Sequence, residues 1–161
     1  KVRKMQLFAD LYDAIVQLPK ATVAACHGYT VGGGAEIAVA CDVRVGGANL
    51  QMRFPGAALG VPVGPARLVT LCGLSHAKYL LLTSNTVKAD EALRIGLINQ
   101  VAPGAATENT ALELAGRIAA HDPESVATLK SLLHKWDDVE GRSADEGRGQ
   151  VEWQRSGRGL H

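Results

Sequence analysis

The chain has 161 residues, 47% of them hydrophobic, and its 17 lysines and arginines against 16 aspartates and glutamates leave a formal charge of +1. That near-neutral balance, with no basic tract and no interleaving of basic and aromatic residues, argues against a nucleic-acid partner. No apolar run approaches the ~18 residues of a membrane span, and the apolar content suffices for one core.

From Lys1 onward, Met5, Leu7, Phe8, Leu11, Ile15 and Leu18 are the apolar positions of an amphipathic pattern, which predicts a helix. Thr22-Val23-Ala24-Ala25-Cys26 reads as a buried strand, and His27 after it as a core histidine. Gly32, Gly33 and Gly34 then form a turn into a helix carried by the apolar run after Glu36, with Glu36 in its first turn. Free amides at such a helix start suit an oxygen that carries or acquires negative charge, and Glu36 beside them is a candidate base or acid. The plainer reading gives the glycines a tight turn and Glu36 a charge that complements the helix dipole. Asp42 and Arg44, after the helix, read as structural, pairing or capping.

Pro65 to Cys72 reads as a short helix ended near Gly73, with Ser75 capping a second from His76 to Leu82. Ala89 to Ile95 is a further helix, stopped by Gly96. Thr107 is a predicted cap for a run to Ala120 whose face is Ala111, Leu114, Ala115 and Ile118. Asp122-Pro123 opens another helix through Leu132, Leu133 and Trp136. Beyond it the sequence turns polar and glycine-bearing, so the chain divides into a core over 1–136 and a tail over 137–161, either a surface helix from Ser143 or partly disordered.

Cys26, Cys41 and Cys72 have apolar neighbours and no C-x-x-C spacing, which predicts reduced, buried thiols in a cytoplasmic protein. His27, His76, His121, His134 and His161 show no metal-ligand spacing, so no metal and no separate cofactor is expected. A dinucleotide fingerprint fails at Ile37, where the third glycine belongs, and no G-x-S-x-G nucleophile elbow occurs.

The run from His27 to Glu36, Pro19-Lys20-Ala21-Thr22 before its strand, Cys41-Asp42-Val43-Arg44-Val45 after its helix, Phe54-Pro55 with Leu59-Gly60-Val61-Pro62, and Ala89-Asp90-Glu91-Ala92 with Gly96-Leu97-Ile98 stand in one order. In that order they resemble the enoyl-CoA hydratase/isomerase (crotonase) family over about residues 5 to 135. The resemblance implies an α/β fold, the crotonase-like ββα spiral shared with ClpP, here its second half followed by C-terminal helices. It implies an acyl-CoA thioester as substrate, with coenzyme A as part of the substrate, and an oxyanion hole that stabilises a thioester enolate during hydration of a 2-enoyl-CoA or a related proton transfer. Enoyl-CoA isomerisation in fatty acid metabolism, or acyl-CoA binding without catalysis, are the alternatives.

By position, Gly33 resembles the family's donor to the thioester oxygen and Glu36 its first catalytic glutamate; Tyr29, Gly32, Gly34, Pro55, Gly56 and Gly64 would border the substrate. Gly56 stands where the second glutamate is normally found, and Val63-Gly64-Pro65-Ala66-Arg67 is shorter than the usual glycine-rich stretch, so the loop lining the acyl pocket is expected to be displaced. The family's N-terminal half has no counterpart here, so the sequence reads as a partial chain whose apolar faces lack their cover. The resemblance also implies a homotrimer or hexamer.

Overall fold

The computed structural model describes residues 1–159; Leu160 and His161, the last positions of the predicted tail, lie outside the described residues. The first helix, α1, spans Val2–Gln17 and buries Met5, Ala9, Tyr12 and Val16. The predicted stripe is therefore displaced around the helix: Leu7, Leu11 and Leu18 are exposed. The displacement follows from the neighbours. A Cβ placed on Gly147 would stand 3.1 Å from the Ala9 Cβ, so a helix packs closely on α1 through two small residues where the hydropathy pattern shows nothing large.

Next come β1 (Val23–Cys26), β2 (Tyr29–Val31), α2 (Gly33–Ala40), β3 (Val43–Gly47) and β4 (Gln51–Arg53). β1 lies parallel to β3, with Val23 opposite Val43, and β2 lies parallel to β4, with Tyr29 opposite Gln51. Each strand pair is thus joined through α2, the crossover that parallel strands require. The sheets are completed by β5 (Val87–Lys88), antiparallel to β4, and β6 (Gln100–Ala102), parallel to β3. β2 has no counterpart in the sequence reading, because three residues are too short to show a period. His27, read as a core residue, lies instead in the link between β1 and β2; its side chain is exposed, 3.7 Å from Glu108.

Between the sheets and helices sits the main core, in which Ala35, Ala38 and Val39 of α2 meet Met52, Phe54 and Leu68. Two charged residues tie its rim. Arg44 is fully buried; its Nε donates to the Leu97 carbonyl at 2.7 Å and Nη1 to the Cys41 carbonyl at 2.6 Å, so it neutralises the carboxyl end of α2. Asp42 accepts from the Thr22 amide at 2.8 Å and Lys130 Nζ at 2.8 Å. Both play the structural part the sequence assigned them. Among the described residues all three cysteines are free, Cys26 and Cys72 buried and Cys41 half-buried, and burial pushes their thiols up, that of Cys26 to about 11.

The helical remainder comprises α3 (Pro65–Thr83), α4 (Ala89–Arg94), α5 (Thr107–Ala119), α6 (Pro123–Trp136) and α7 (Val139–Arg155). α3 bends at Gly73, where φ is 75° and the helix is interrupted as its sequence predicted. Asp122 accepts from the Ser125 amide at 2.8 Å and caps α6. Thr107 does not cap α5: it is the first helical residue and is buried, and Ala106 precedes it with no side-chain bond. α7 begins at Val139, four residues before Ser143, and despite its polarity buries Ser143, Gly147, Gln150 and Val151. Among the described residues no helix is long and apolar enough to cross a membrane.

Candidate active site

The turn from β2 into α2 is made by Gly32, whose φ of 58° and ψ of −122° are open to glycine and costly for other residues. Its amide donates to the Arg53 carbonyl at 3.1 Å and its carbonyl accepts from the Glu36 amide at 2.9 Å, so Gly33 becomes the first helical residue. An amide in that place has no acceptor within its own helix. α1 leans directly on it: a Cβ on Gly33 would meet the Phe8 ring at 3.3 Å and the Tyr12 hydroxyl at 3.8 Å.

A cavity of about 180 Å³ opens at this turn. Gly32, Gly33 and Glu36 form one wall, Pro55 and Gly56 a second, and Phe8 and Tyr12 of α1 a third. Five of the residues expected at the site therefore converge. The other three do not line it. Gly64 stands behind Glu36, where an added Cβ would lie 3.0 Å from Oε1 and 2.8 Å from Leu81; Gly34 faces open space; and Tyr29 is 81% exposed outside the cavity.

Glu36 is 2% exposed, and its Oε2 accepts from Arg67 at 2.9 Å (Nη2) and 3.2 Å (Nε). Arg67 is buried too, lies with its guanidinium carbon 4.9 Å from the Tyr12 ring centre, and also pairs with Glu146 of α7. Glu146 in turn accepts from the amides of Gly64 at 3.1 Å and Ala66 at 2.7 Å. The result is a buried chain from carboxylate to guanidinium to carboxylate, ending on the backbone of the loop before α3. Burial raises the Glu36 carboxyl to about 7, Arg67 opposes that rise and Glu146 adds to it. Burial also works against the charge of Arg67, but the two carboxylates hold it above the ordinary arginine value. Burial and then Glu36 push the Tyr12 phenol up to about 12, which keeps it a neutral donor.

Gly56 has a local structural cause. Its carbonyl accepts from Leu59 at 3.1 Å and Val61 at 2.8 Å in a tight 3₁₀ turn over Ala57–Leu59, and a Cβ there would stand 2.5 Å from the Val61 carbonyl oxygen. The turn as folded has no space for a second carboxylate at this position. Arg67, Glu146, Tyr12 and Phe8 were not legible as site residues: Glu146 is joined to Arg67 across 79 positions, and no local pattern carries such a contact.

Residues 3–149 match the family model for enoyl-CoA hydratase/isomerase. Over 121 residues the chain is 40% identical to a short-chain-enoyl-CoA hydratase of Clostridium acetobutylicum, which covers 73% of this chain and 46% of the relative. It is 35% identical over 128 residues to a crotonyl-CoA hydratase of Syntrophomonas wolfei, across 78% of this chain and 49% of the relative. The chain thus spans about half the length of these curated relatives. Among solved structures, ThnE from S. clavuligerus superposes with a TM-score of 0.81 at 25% identity, over 92% of this chain and 74% of that one. DspI of Pseudomonas aeruginosa superposes with a TM-score of 0.79 at 34% identity, over 91% and 58%. A glycine turn at the start of α2 with a buried glutamate one helical turn on, set in a crotonase fold that the family model matches almost end to end, places this chain in the enoyl-CoA hydratase/isomerase family.

Proposed function

We propose that this cavity takes the acyl end of an acyl-CoA thioester and that the chain hydrates a 2-enoyl-CoA or moves a proton at its α-carbon. The observation that carries this reading is Glu36, buried on the wall of the cavity beside the Gly33 amide. The thioester oxygen accepts a hydrogen bond from that amide, which stabilises the enolate formed in the reaction. Arg67 holds Oε2 of Glu36 and so fixes the carboxyl that handles the proton. A carboxyl poised near 7 exchanges protons readily at neutral pH.

With Gly56 at the second position, one carboxylate carries the whole transfer: Glu36 takes a proton from water as the hydroxyl adds to the β-carbon, then returns it to the α-carbon. The same single carboxylate shuttles a proton between carbons in an isomerisation, and the closed Gly56 turn favours keeping that second reading. The protein acts in the cytoplasm, as a homotrimer or hexamer, and needs no cofactor beyond the coenzyme A of its substrate. Turnover of crotonyl-CoA, and of 3-enoyl-CoA for the isomerase reading, tests this. Glu36→Gln should lower turnover ~10²-fold or more with binding little changed, and equal turnover would reduce Glu36 to a helix-end charge.

A further inference from the structure

Gln150 of α7 is 3% exposed and lines the same cavity as Glu36 and Gly33. Its side-chain nitrogen has no hydrogen-bond acceptor among the described residues. Much of the remaining wall is apolar, with Met5, Phe8, Leu59, Val61 and Val63, and a wall of that kind suits a plain hydrocarbon chain. A buried amide with no partner weakens the fold, and native proteins leave few of them. Gln150 is also held in place. On one side of it Glu146 grips the Gly64 and Ala66 amides, and on the other Trp153 Nε1 donates to the Gly60 carbonyl at 2.9 Å.

We propose that Gln150 reads the acyl chain, its amide donating to an oxo oxygen on that chain, so that the cavity selects oxo-acyl thioesters over hydrocarbon ones of the same shape. The inference rests on the acyl-CoA reading above. Oxygen borne by the acyl chain supplies the acceptor that the described residues do not, whereas a methyl group in its place leaves the amide nitrogen buried and unpaired. That asymmetry, more than the attraction itself, produces the selection.

Calorimetric binding of saturated thioesters, which cannot be turned over, separates recognition from catalysis. The probes are two pairs matched in shape: 4-oxopentanoyl-CoA with 4-methylpentanoyl-CoA, and 5-oxohexanoyl-CoA with 5-methylhexanoyl-CoA. The intact chain should bind the better oxo compound roughly tenfold more tightly than its methyl partner, and Gln150→Leu should abolish or reverse that preference. The variant should also melt at or above the parent temperature, because packed methyl groups replace an unpaired amide; a lower melting temperature would assign the amide a structural task and overturn the proposal. Equal binding within both pairs, or a preference that survives Gln150→Leu, overturns it as well. Thioesters bound without discrimination would leave the acyl-CoA reading intact, whereas no binding of any of the four would remove both.

Discussion

Glu36 should make the protein less stable as the pH rises, and a single substitution isolates the effect. Its carboxyl stands at about 7 in the folded chain against an ordinary value of 4.5. Below the lower value both folded and unfolded chains carry the proton. As pH rises, the unfolded chain releases it first, so the stabilisation present in acid is lost between these values and gone once pH passes about 7. The displacement is worth about 3 kcal/mol, or roughly 6–12 °C in melting temperature for a chain of this size. Glu36→Gln keeps the shape of the protonated acid and does not titrate, while Arg67 retains Glu146 as its counter-charge. Melting curves of both proteins from about pH 4 to about pH 8.5 test this, because the other ionisable groups largely cancel in the difference. The advantage of the glutamine variant should grow with pH by that amount. A flat difference would refute the claim that burial governs Glu36, and a growing advantage for the parent would show that attraction to Arg67 outweighs burial.

Two further substitutions probe the same neighbourhood. Glu146→Gln leaves Arg67 with Glu36 alone and loosens the Gly64 and Ala66 amides, so stability should fall by about 3 kcal/mol, read from the denaturation midpoint at unchanged m-value, and the Glu36 titration in the melting series should move to lower pH. Gly56→Glu should give no gain in hydration rate, because its Cβ meets the Val61 carbonyl oxygen at 2.5 Å; Gly56→Ala should lose about as much stability as Gly56→Glu, and a glutamate variant that is stable and faster would refute the closed-turn account.

Local chemistry was written in the sequence where one residue type suffices to produce it. The Gly32 turn, the break at Gly73 and the Asp122 cap each depend on a backbone preference or a bond spanning three residues, and the ordered motifs around Glu36 were enough to locate the cavity wall. What the sequence could not disclose is long-range and hangs on neighbours. The buried side of α1 is set by the small residues of α7 rather than by its own leucines. Tyr29, next to the glycine turn in sequence, points away from the cavity because β2 pairs with β4 and carries it to the surface. The ionisation of Glu36 was decided entirely by tertiary structure: a carboxylate in the first turn of a helix is ordinarily favoured by the dipole, but here burial outweighs both the dipole and Arg67, and burial exists only once α1, α3 and α7 have closed around it.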